Sequence, residues 1–549
     1  MRKTIIVLTV ALLLIALPAI CQAAGLTSFY VQPAGSEGKA ATAVHWFKKN
    51  SSTYDLYLPA GMDTSSLQVC FEGVDDLQIN GESFTTGQTT DLFVPGTEVK
   101  VKWGKKSVTL NVMKSANLNA LFITTESGDM KAIHGDKEHR ESGHFVMLSP
   151  DGDVALDLPL DEIKGRGNSS FRYPKKPYQI KFEKKVDLLG MGKAKKWILL
   201  TNYIDNSLLR NRIGFEVSRA VGFEATCENE FVDLYLNHEY AGNYLLTEKM
   251  EIGENRIDIT DLEAATEEVN ESDLDTYAKA GRRGYKKNTR KYWEIPNDPA
   301  DITGGYLLEL ELTNRYPQEA SGIVTQRGQP VVIKEPEYAS QAQANYIGDL
   351  LQEFEDAIFA DDGINPQTGK HYYEYIDKES YVTKYLIEEV LKNYDANRTS
   401  QYFYKDVDSK SKLLYSAPVW DFDQSLDNYG MNGSKIFLAS NKSTSFHWFP
   451  QAYEIPDFRQ RVEELYKEKF VTAINILIGS GGTLGELRSI DSYVEEIEAS
   501  AAMNFRRWGY IESPDRYVSA GKTFEESTAY LKTFLTRRLE NCNKRWNND

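Results

Sequence analysis

The chain has 549 residues, 41% of them apolar and 12% aromatic, and carries 63 Lys and Arg against 80 Asp and Glu for a net charge of −17. That length exceeds what one core ordinarily organises, and the apolar content excludes a disordered chain. The acidic balance argues against a nucleic-acid binder.

Residues 1–23 read as a secretory signal peptide: a basic start at Arg2 and Lys3, an apolar run from Ile5 to Ile20, and small residues at Ala23 and Ala24. Ile20 is too bulky for lipoprotein processing at Cys21, and the apolar run is short for a membrane span. A secreted or cell-surface protein with no membrane span after cleavage is expected. Cys70, Cys227 and Cys542 remain, too few and too far apart for a disulfide scaffold or a clustered zinc site. One disulfide with one free thiol stays open.

Residues 25–115 break into short β segments such as TYDLYLP, EVKVKW and SVTLNVM between Gly, Asn, Asp and Ser turns, which predicts a small β-sandwich-like domain. Residues 118–549 predict an α+β domain. Strands and one helix, at 207–222 with Ser207 as N-cap and Gly222 as terminator, fill about 118–260. A charged, Pro/Gly-punctuated stretch, 261–301, reads as a mobile insertion. From 339 the pattern turns helical, with helices expected at 339–360, 377–393, 457–477, 487–507 and 523–545. The order, strands and then helices, predicts two lobes with a cleft.

Four places could carry chemistry. In KGRGNSSF, Gly165 and Gly167 flank Arg166, so backbone N–H groups and a guanidinium could approach phosphate; a plain glycine turn with a surface arginine is the competing reading. In KPYQIKF, strand alternation puts Tyr178, Ile180 and Phe182 on one face and Lys181 on the other, where it either reaches phosphate or meets solvent. Glu216 continues the stripe of Leu209 and Ile213 on the 207–222 helix, and a buried glutamate wants a partner, for which Lys181 is the candidate.

The strongest signal lies in 392–426. Gln401–Lys405 and Leu413–Trp420 are aromatic and β-rich around a polar turn, so they predict a hairpin. Antiparallel pairing joins positions whose numbers sum to roughly 820. That brings Asp395, before the first strand, towards Asp421 and Asp423, after the second. Such hard oxygen groups suit Mg²⁺ or Mn²⁺ bridging phosphates. The alternative is that they merely end a helix and a turn. His134, His139 and His144 recur every five residues without zinc spacing, and no GxSxG string is present.

A glycine loop, a strand lysine, a helix glutamate, an aspartate with a polar residue five positions on (Ser400) and a later DFD follow the order of a protein kinase, although the usual H-R-D and D-F-G strings are absent. The chain resembles the CotH kinase family over about 118–429, with weaker similarity in the helical remainder. The resemblance rests on IKGRGNSSF, YPKKPYQIKF, the DLLGMGKAKKWILLTNYIDNSLLRNRIGFEVSRAVG block, FVDLYLNHEYAGNYLLTEKMEIGENRIDI, GGYLLELE, NYDANRTSQYFYKD and PVWDFDQSL.

That resemblance implies an atypical protein-kinase-like two-lobed fold using ATP with Mg²⁺ or Mn²⁺. It implies a family whose characterised members phosphorylate spore-coat proteins and whose fungal relatives serve as surface ligands. By position it makes Asp395 the catalytic aspartate and Asp421 a metal ligand. Asp423 is expected as a further metal ligand. Gly165, Arg166, Gly167, Lys181 and Glu216 are assigned to the nucleotide. Ser400 stands where spore-coat members have asparagine, and a hydroxyl is a smaller metal ligand than an amide carbonyl.

The expected function is therefore a secreted kinase acting on a hydroxyl, a Ser or Thr of a coat or cell-surface protein. A non-catalytic surface or coat protein with the same fold is the alternative. Glycoside hydrolysis by paired carboxylates at Asp421 and Asp423 ranks last, because it leaves the glycine loop without a role.

Overall fold

The computed structural model describes residues 25–36, 38–44, 51–223, 225–396, 398–428, 433–442, 448–511 and 521–547. The signal-peptide reading of residues 1–23 lies outside them. The fold mixes helix and sheet and divides into two compact units.

The first unit comprises Met1–Glu183, Phe231–Tyr244 and Ile497–Trp508. Its N-terminal part is sheet-rich, as expected for residues 25–115. One sheet orders Thr42–Ala43, Ser28–Pro33, Leu67–Glu72 and Thr89–Thr90. The other orders Thr53–Leu58, Lys106–Lys114, Glu98–Trp103, Leu77–Ile79 and Glu82–Phe84. The strand EVKVKW shows why the sequence folds this way: Glu98, Lys100 and Lys102 face water while Val99, Val101 and Trp103 are buried, the period of a strand with one apolar face. Phe29, Val31 and Val69 from one sheet and Leu56, Val101 and Leu110 from the other share a single apolar cluster.

Beyond it, Asn119–Thr125, Arg140–Leu148 and Val154–Gly165 form an antiparallel ladder, and Gly165 pairs with Tyr178 on the next strand. On that strand Tyr178, Ile180 and Phe182 are buried and Gln179 and Lys181 are half-buried, the facing predicted from alternation.

The second unit comprises Lys184–Glu230, Leu245–Glu496 and Gly509–Asp549. Its six-stranded sheet orders Lys279–Gly281, Thr289–Trp293, Ser321–Val324, Pro330–Glu335, Tyr306–Leu310 and Gln401–Lys405. The 261–301 stretch supplies two of these strands and the helix Leu262–Glu268, which Asp261 caps by accepting from the Ala264 amide at 2.9 Å. Its charge pattern hid them because each element is short and only a few side chains, Trp293 among them, are buried.

The helices fall where periodicity placed them. Gln341–Ile358 opens on a reciprocal cap between Ser340 and Gln343, and Lys378–Val390 on Asp377. Ile490–Trp508 and Phe524–Trp546 follow, and a π turn at Tyr466–Phe470 interrupts 456–477. The helix near 207 begins later, at Arg210, and Ser207 is not its cap. The Ser207 hydroxyl is drawn away by Asp205, to which it donates at 2.6 Å. Gly222, at φ +78°, ends the helix as expected.

Cys70, Cys227 and Cys542 are buried free thiols, so no disulfide joins them. No helix among the described residues is long and apolar enough to cross a membrane.

Candidate functional site

The site lies in the second unit and is built on Gln401–Lys405. Tyr404 and Tyr415 exchange both backbone hydrogen bonds, at 2.9 and 2.8 Å, the register expected of the hairpin. The second limb goes no further as a strand. Tyr404–Tyr415 is an isolated bridge, and on its other edge Gln401–Lys405 makes a full ladder with Tyr306–Leu310, a buried YLLEL segment. Pro418 has no N–H to give a ladder, and its carbonyl is taken by the Lys384 ammonium at 3.0 Å. Lys384 also donates to the Tyr402 carbonyl at 2.8 Å, so one buried side chain ties both limbs.

The DFD turn is held from the other side by the helix Arg210–Ala220. Asn211 accepts the Phe422 amide at 2.8 Å, and Arg210 Nε donates to the Ser425 carbonyl at 3.0 Å while its guanidinium pairs with Asp205. Gly214 permits this approach, since a Cβ there would stand 2.2 Å from the Phe422 ring. Asn428 Nδ2 donates to the Asp423 carbonyl at 2.7 Å.

Four expected residues converge here. The Ser400 hydroxyl donates to Asp421 Oδ2 at 3.4 Å, and Gln424 Nε2 donates to Asp395 Oδ2 at 3.3 Å. Asn393 joins the two sides: its amide donates to the Asp421 carbonyl at 3.3 Å and its Oδ1 accepts the Asp395 amide at 3.3 Å. Ser400 and Asp421 both hold left-handed backbone, φ +57° and +65°, a strain of about 1–3 kcal/mol each that surrounding structure must hold in place.

Burial, and then the Asp421 charge, push the Asp395 carboxyl well above the usual carboxylate range. Burial followed by Asp421 and Asp395 does the same to Asp423. Asp423 Oδ1 is buried with no hydrogen-bond partner.

The acidic character extends beyond the expected residues. Glu388 is fully buried, accepts from Gln401 at 3.1 Å, and is pushed up by burial while Lys384 is pushed down by the same cause. Glu311, raised chiefly by burial, accepts the Thr399 hydroxyl at 2.9 Å. The signal for Lys384 and Glu388 was present in VTKYLIEEV, where opposite charges four residues apart sit among the apolar positions Val382, Tyr385, Leu386 and Ile387.

The remaining expected residues are placed otherwise. The Lys181 ammonium pairs with Asp161 at 2.7 Å, and Glu216 pairs with Arg219 at 2.8 Å and Arg212 at 3.4 Å. Glu216 is thus a buried glutamate with partners, as its stripe implied, but they come from its own helix and not from Lys181. In the glycine loop the Arg166 amide donates to the Pro177 carbonyl at 3.1 Å. A Cβ at Gly165 would stand 2.2 Å from the Phe171 ring, and one at Gly167, φ +84°, 2.2 Å from Ser170 Oγ. Local packing therefore demands both glycines. His134, His139 and His144 face separate partners, Tyr178, Glu141 and Asp157.

Among the described residues, no three or more His, Cys, Asp or Glu side chains are arranged to hold a metal ion by themselves. Mg²⁺ does not require that: it takes one or two carboxylates and completes its shell with waters and phosphate oxygens. Asp421 and Asp423, mutually repelling and with Asp423 Oδ1 unpartnered, fit such an ion.

No curated protein matches the chain. A solved structure of a candidate glycoside hydrolase from Bacteroides thetaiotaomicron is 14% identical and covers 60% of this chain and 88% of its own, with a TM-score of 0.13, a likeness too low to bear on fold or chemistry. The profile of the family described as CotH kinase protein matches residues 163–542, beginning later than 118 and taking in the C-terminal helices. That match spans well over half of the sequence, and the chain belongs to the CotH kinase protein family.

Proposed function

We propose that the protein is a secreted atypical kinase that transfers the γ-phosphate of ATP to a hydroxyl, a Ser or Thr of a coat or cell-surface protein, with Mg²⁺ or Mn²⁺. The observation that carries this reading is the convergence of Asp395 and Asp423 on Asp421: burial, and then the Asp421 charge, raises the proton affinity of both. Such crowding is relieved by a divalent cation, and kinases place one there against the phosphates.

Asp421 and Asp423 would hold the metal, with the Ser400 hydroxyl beside Asp421. The metal, when bound, would supply charge neutralisation to the phosphoryl oxygens. Asp395, oriented by Gln424, takes the proton of the acceptor hydroxyl as its oxygen bonds the γ-phosphorus and ADP leaves. A carboxylate with a raised pKa is the better base for that step at neutral pH.

A kinase-like pair of lobes, about 118–260 and 339–549, after a separate domain at 25–115, belongs to the same proposal. So does nucleotide binding by the Gly165–Gly167 loop, Lys181 and Glu216.

The non-catalytic reading draws on two observations: Lys181 is engaged by Asp161, and packing alone accounts for both loop glycines. Labelled ATP with Mg²⁺ or Mn²⁺, a degenerate Ser/Thr peptide library and purified protein decide between them. The proposal requires metal-dependent transfer that Asp395→Ala abolishes. Equal transfer by Asp395→Ala, or no transfer with either metal, overturns it.

A further inference from the structure

We infer that the basic turn at 282–287 docks an acidic segment of the acceptor protein, so that the phosphorylated hydroxyl stands about six residues from a run of carboxylates. This rests on the proposed phosphotransfer and narrows the class of its acceptor.

In a chain of net charge −17, residues 279–291, KAGRRGYKKNTRK, hold seven Lys and Arg and no acid. Three of the seven are spent on the fold. Arg283 donates to the Ala320 carbonyl at 2.8 Å, Arg290 pairs with Asp349 at 3.2 Å, and the buried Lys291 donates to the Tyr316 carbonyl at 2.5 Å. Lys279, Arg282, Lys286 and Lys287 are exposed, and among the described residues none of them has a carboxylate partner. Four uncompensated cations on one hairpin set up a local field opposite in sign to the protein's net charge, and the partner it attracts is an anion.

Sheet register fixes where that field lies relative to the aspartates. Thr289 pairs with Val324, Val324 with Pro330, Val331 with Leu310 and Leu310 with Gln401, so these residues form one row across an end of the six-stranded sheet. The basic turn precedes Thr289 at one side of the row. Ser400, bonded to Asp421, precedes Gln401 at the other. Four strand spacings separate the two, ~19 Å, which an extended peptide covers in about six residues. The surface between them is continuous. The Tyr285 hydroxyl donates to the Gly328 carbonyl at 3.1 Å and the Asn288 amide to the Thr325 carbonyl at 3.0 Å, which seats the basic turn on its neighbour. A hollow of about 300 Å³ lined by Lys287, Arg327, Leu312 and Asn314 leads on, and Thr399, on Glu311 at 2.9 Å, closes the row at the mouth. Arg327 in that hollow already pairs with Asp356 at 2.5 Å, so the free charge sits on the turn itself. Separate cations on a turn, two of them flexible ammonium groups, suit carboxylates spread along an extended chain better than one phosphate that wants a bidentate fork.

The test uses the full-length protein and fluorescein-labelled peptides. Each peptide has one Ser and a run of Asp and Glu placed roughly two, six or ten residues from it, or the same run as Asn and Gln. By fluorescence anisotropy without ATP, the acidic peptides are expected to bind about tenfold more tightly than their amide counterparts at low salt. The combined variant Arg282→Ala, Lys286→Ala and Lys287→Ala is expected to lose that tenfold. In the phosphotransfer assay, KM is expected to be lowest at the six-residue spacing, with kcat little changed. The inference is overturned if acidic and amide peptides bind alike, or if the variant binds the acidic peptide as the wild type does. It is also overturned if the KM advantage is the same at every spacing, or if an acidic polysaccharide binds more tightly than the acidic peptide, which makes the turn a glycan surface. A wild type that phosphorylates no peptide removes the proposed function, while the anisotropy result still decides the docking.

Discussion

Lys384→Met tests whether the hairpin mouth is held as described. The substitution keeps much of the side chain's length and removes its charge. It leaves the Tyr402 and Pro418 carbonyls without their donor and the fully buried Glu388 without its counter-charge. Removing one partner of a buried ion pair costs about 3–5 kcal/mol, which for a unit of this size lowers its melting temperature by roughly 5–10 °C. The pH dependence identifies the cause. Burial raises the Glu388 pKa above its ordinary value of 4.5. Its contribution to stability is therefore full below that value and is lost as pH rises through the raised one. Lys384, depressed from 10.5, contributes with the opposite slope on the alkaline side. In the variant only the Glu388 part survives, so the deficit should be largest near about pH 8 and shrink towards pH 5. Differential scanning calorimetry across that range measures it. Adding Glu388→Leu should recover most of the loss, since apolar replacement of a buried pair is nearly neutral. A melting shift of less than about 2 °C, or a deficit that does not change with pH, refutes the clamp.

The same geometry yields three more expectations. Asp395→Asn should lower phosphotransfer by on the order of 10²–10⁴ while raising the melting temperature of metal-free protein, because it removes a charge that Asp421 repels; parallel kinetics and calorimetry check both. Asp395 and Asp423 have folded-state pKa values above their unfolded ones, so metal-free stability should be greatest in acid and fall as pH rises from about 4 through the raised values. Saturating Mg²⁺ should flatten that slope, which melts with Mg²⁺ and with EDTA at several pH values will show. Ser400→Asn places a residue that tolerates left-handed backbone at φ +57° and adds an amide carbonyl beside Asp421, so it should tighten Mg²⁺ binding severalfold by calorimetric titration.

The parts of the site that could be read from sequence are those set by local pattern. Strand alternation placed Lys181, helical periodicity placed Lys378–Val390, and simple antiparallel counting brought Asp395 towards Asp421 through the Tyr404–Tyr415 pair. What counting could not supply was the partner of each charge. Lys181 pairs with Asp161 on the neighbouring strand, one residue from its register partner Glu162, and Glu216 has two arginines within its own helix, at i−4 and i+3. Both are nearer than any partner across the chain, and proximity decides. The second limb of the hairpin goes no further as a strand than the Tyr404–Tyr415 bridge, because Pro418 brings no N–H and its carbonyl goes to Lys384, while Tyr306–Leu310 holds the other edge of Gln401–Lys405.

The distribution of positive charge around the aspartates sharpens the case for an external cation. Arg210 is spent on Asp205 and the Ser425 carbonyl, and Lys384 on the two limb carbonyls. Lys334 bridges Glu309 and Glu319, and Arg315 lies beside Glu311. Each of these positions structure around the mouth, and Arg315 alone among them appears as a stabilising charge for Asp395. Asp423 Oδ1 is left buried and unpartnered, at a desolvation cost of about 1–3 kcal/mol. Phe422, between the two aspartates, packs against Gly214, where a Cβ would stand 2.2 Å from its ring. Under the proposed function, the positive charge of a metal carrying nucleotide phosphates would meet the Asp423 carboxylate.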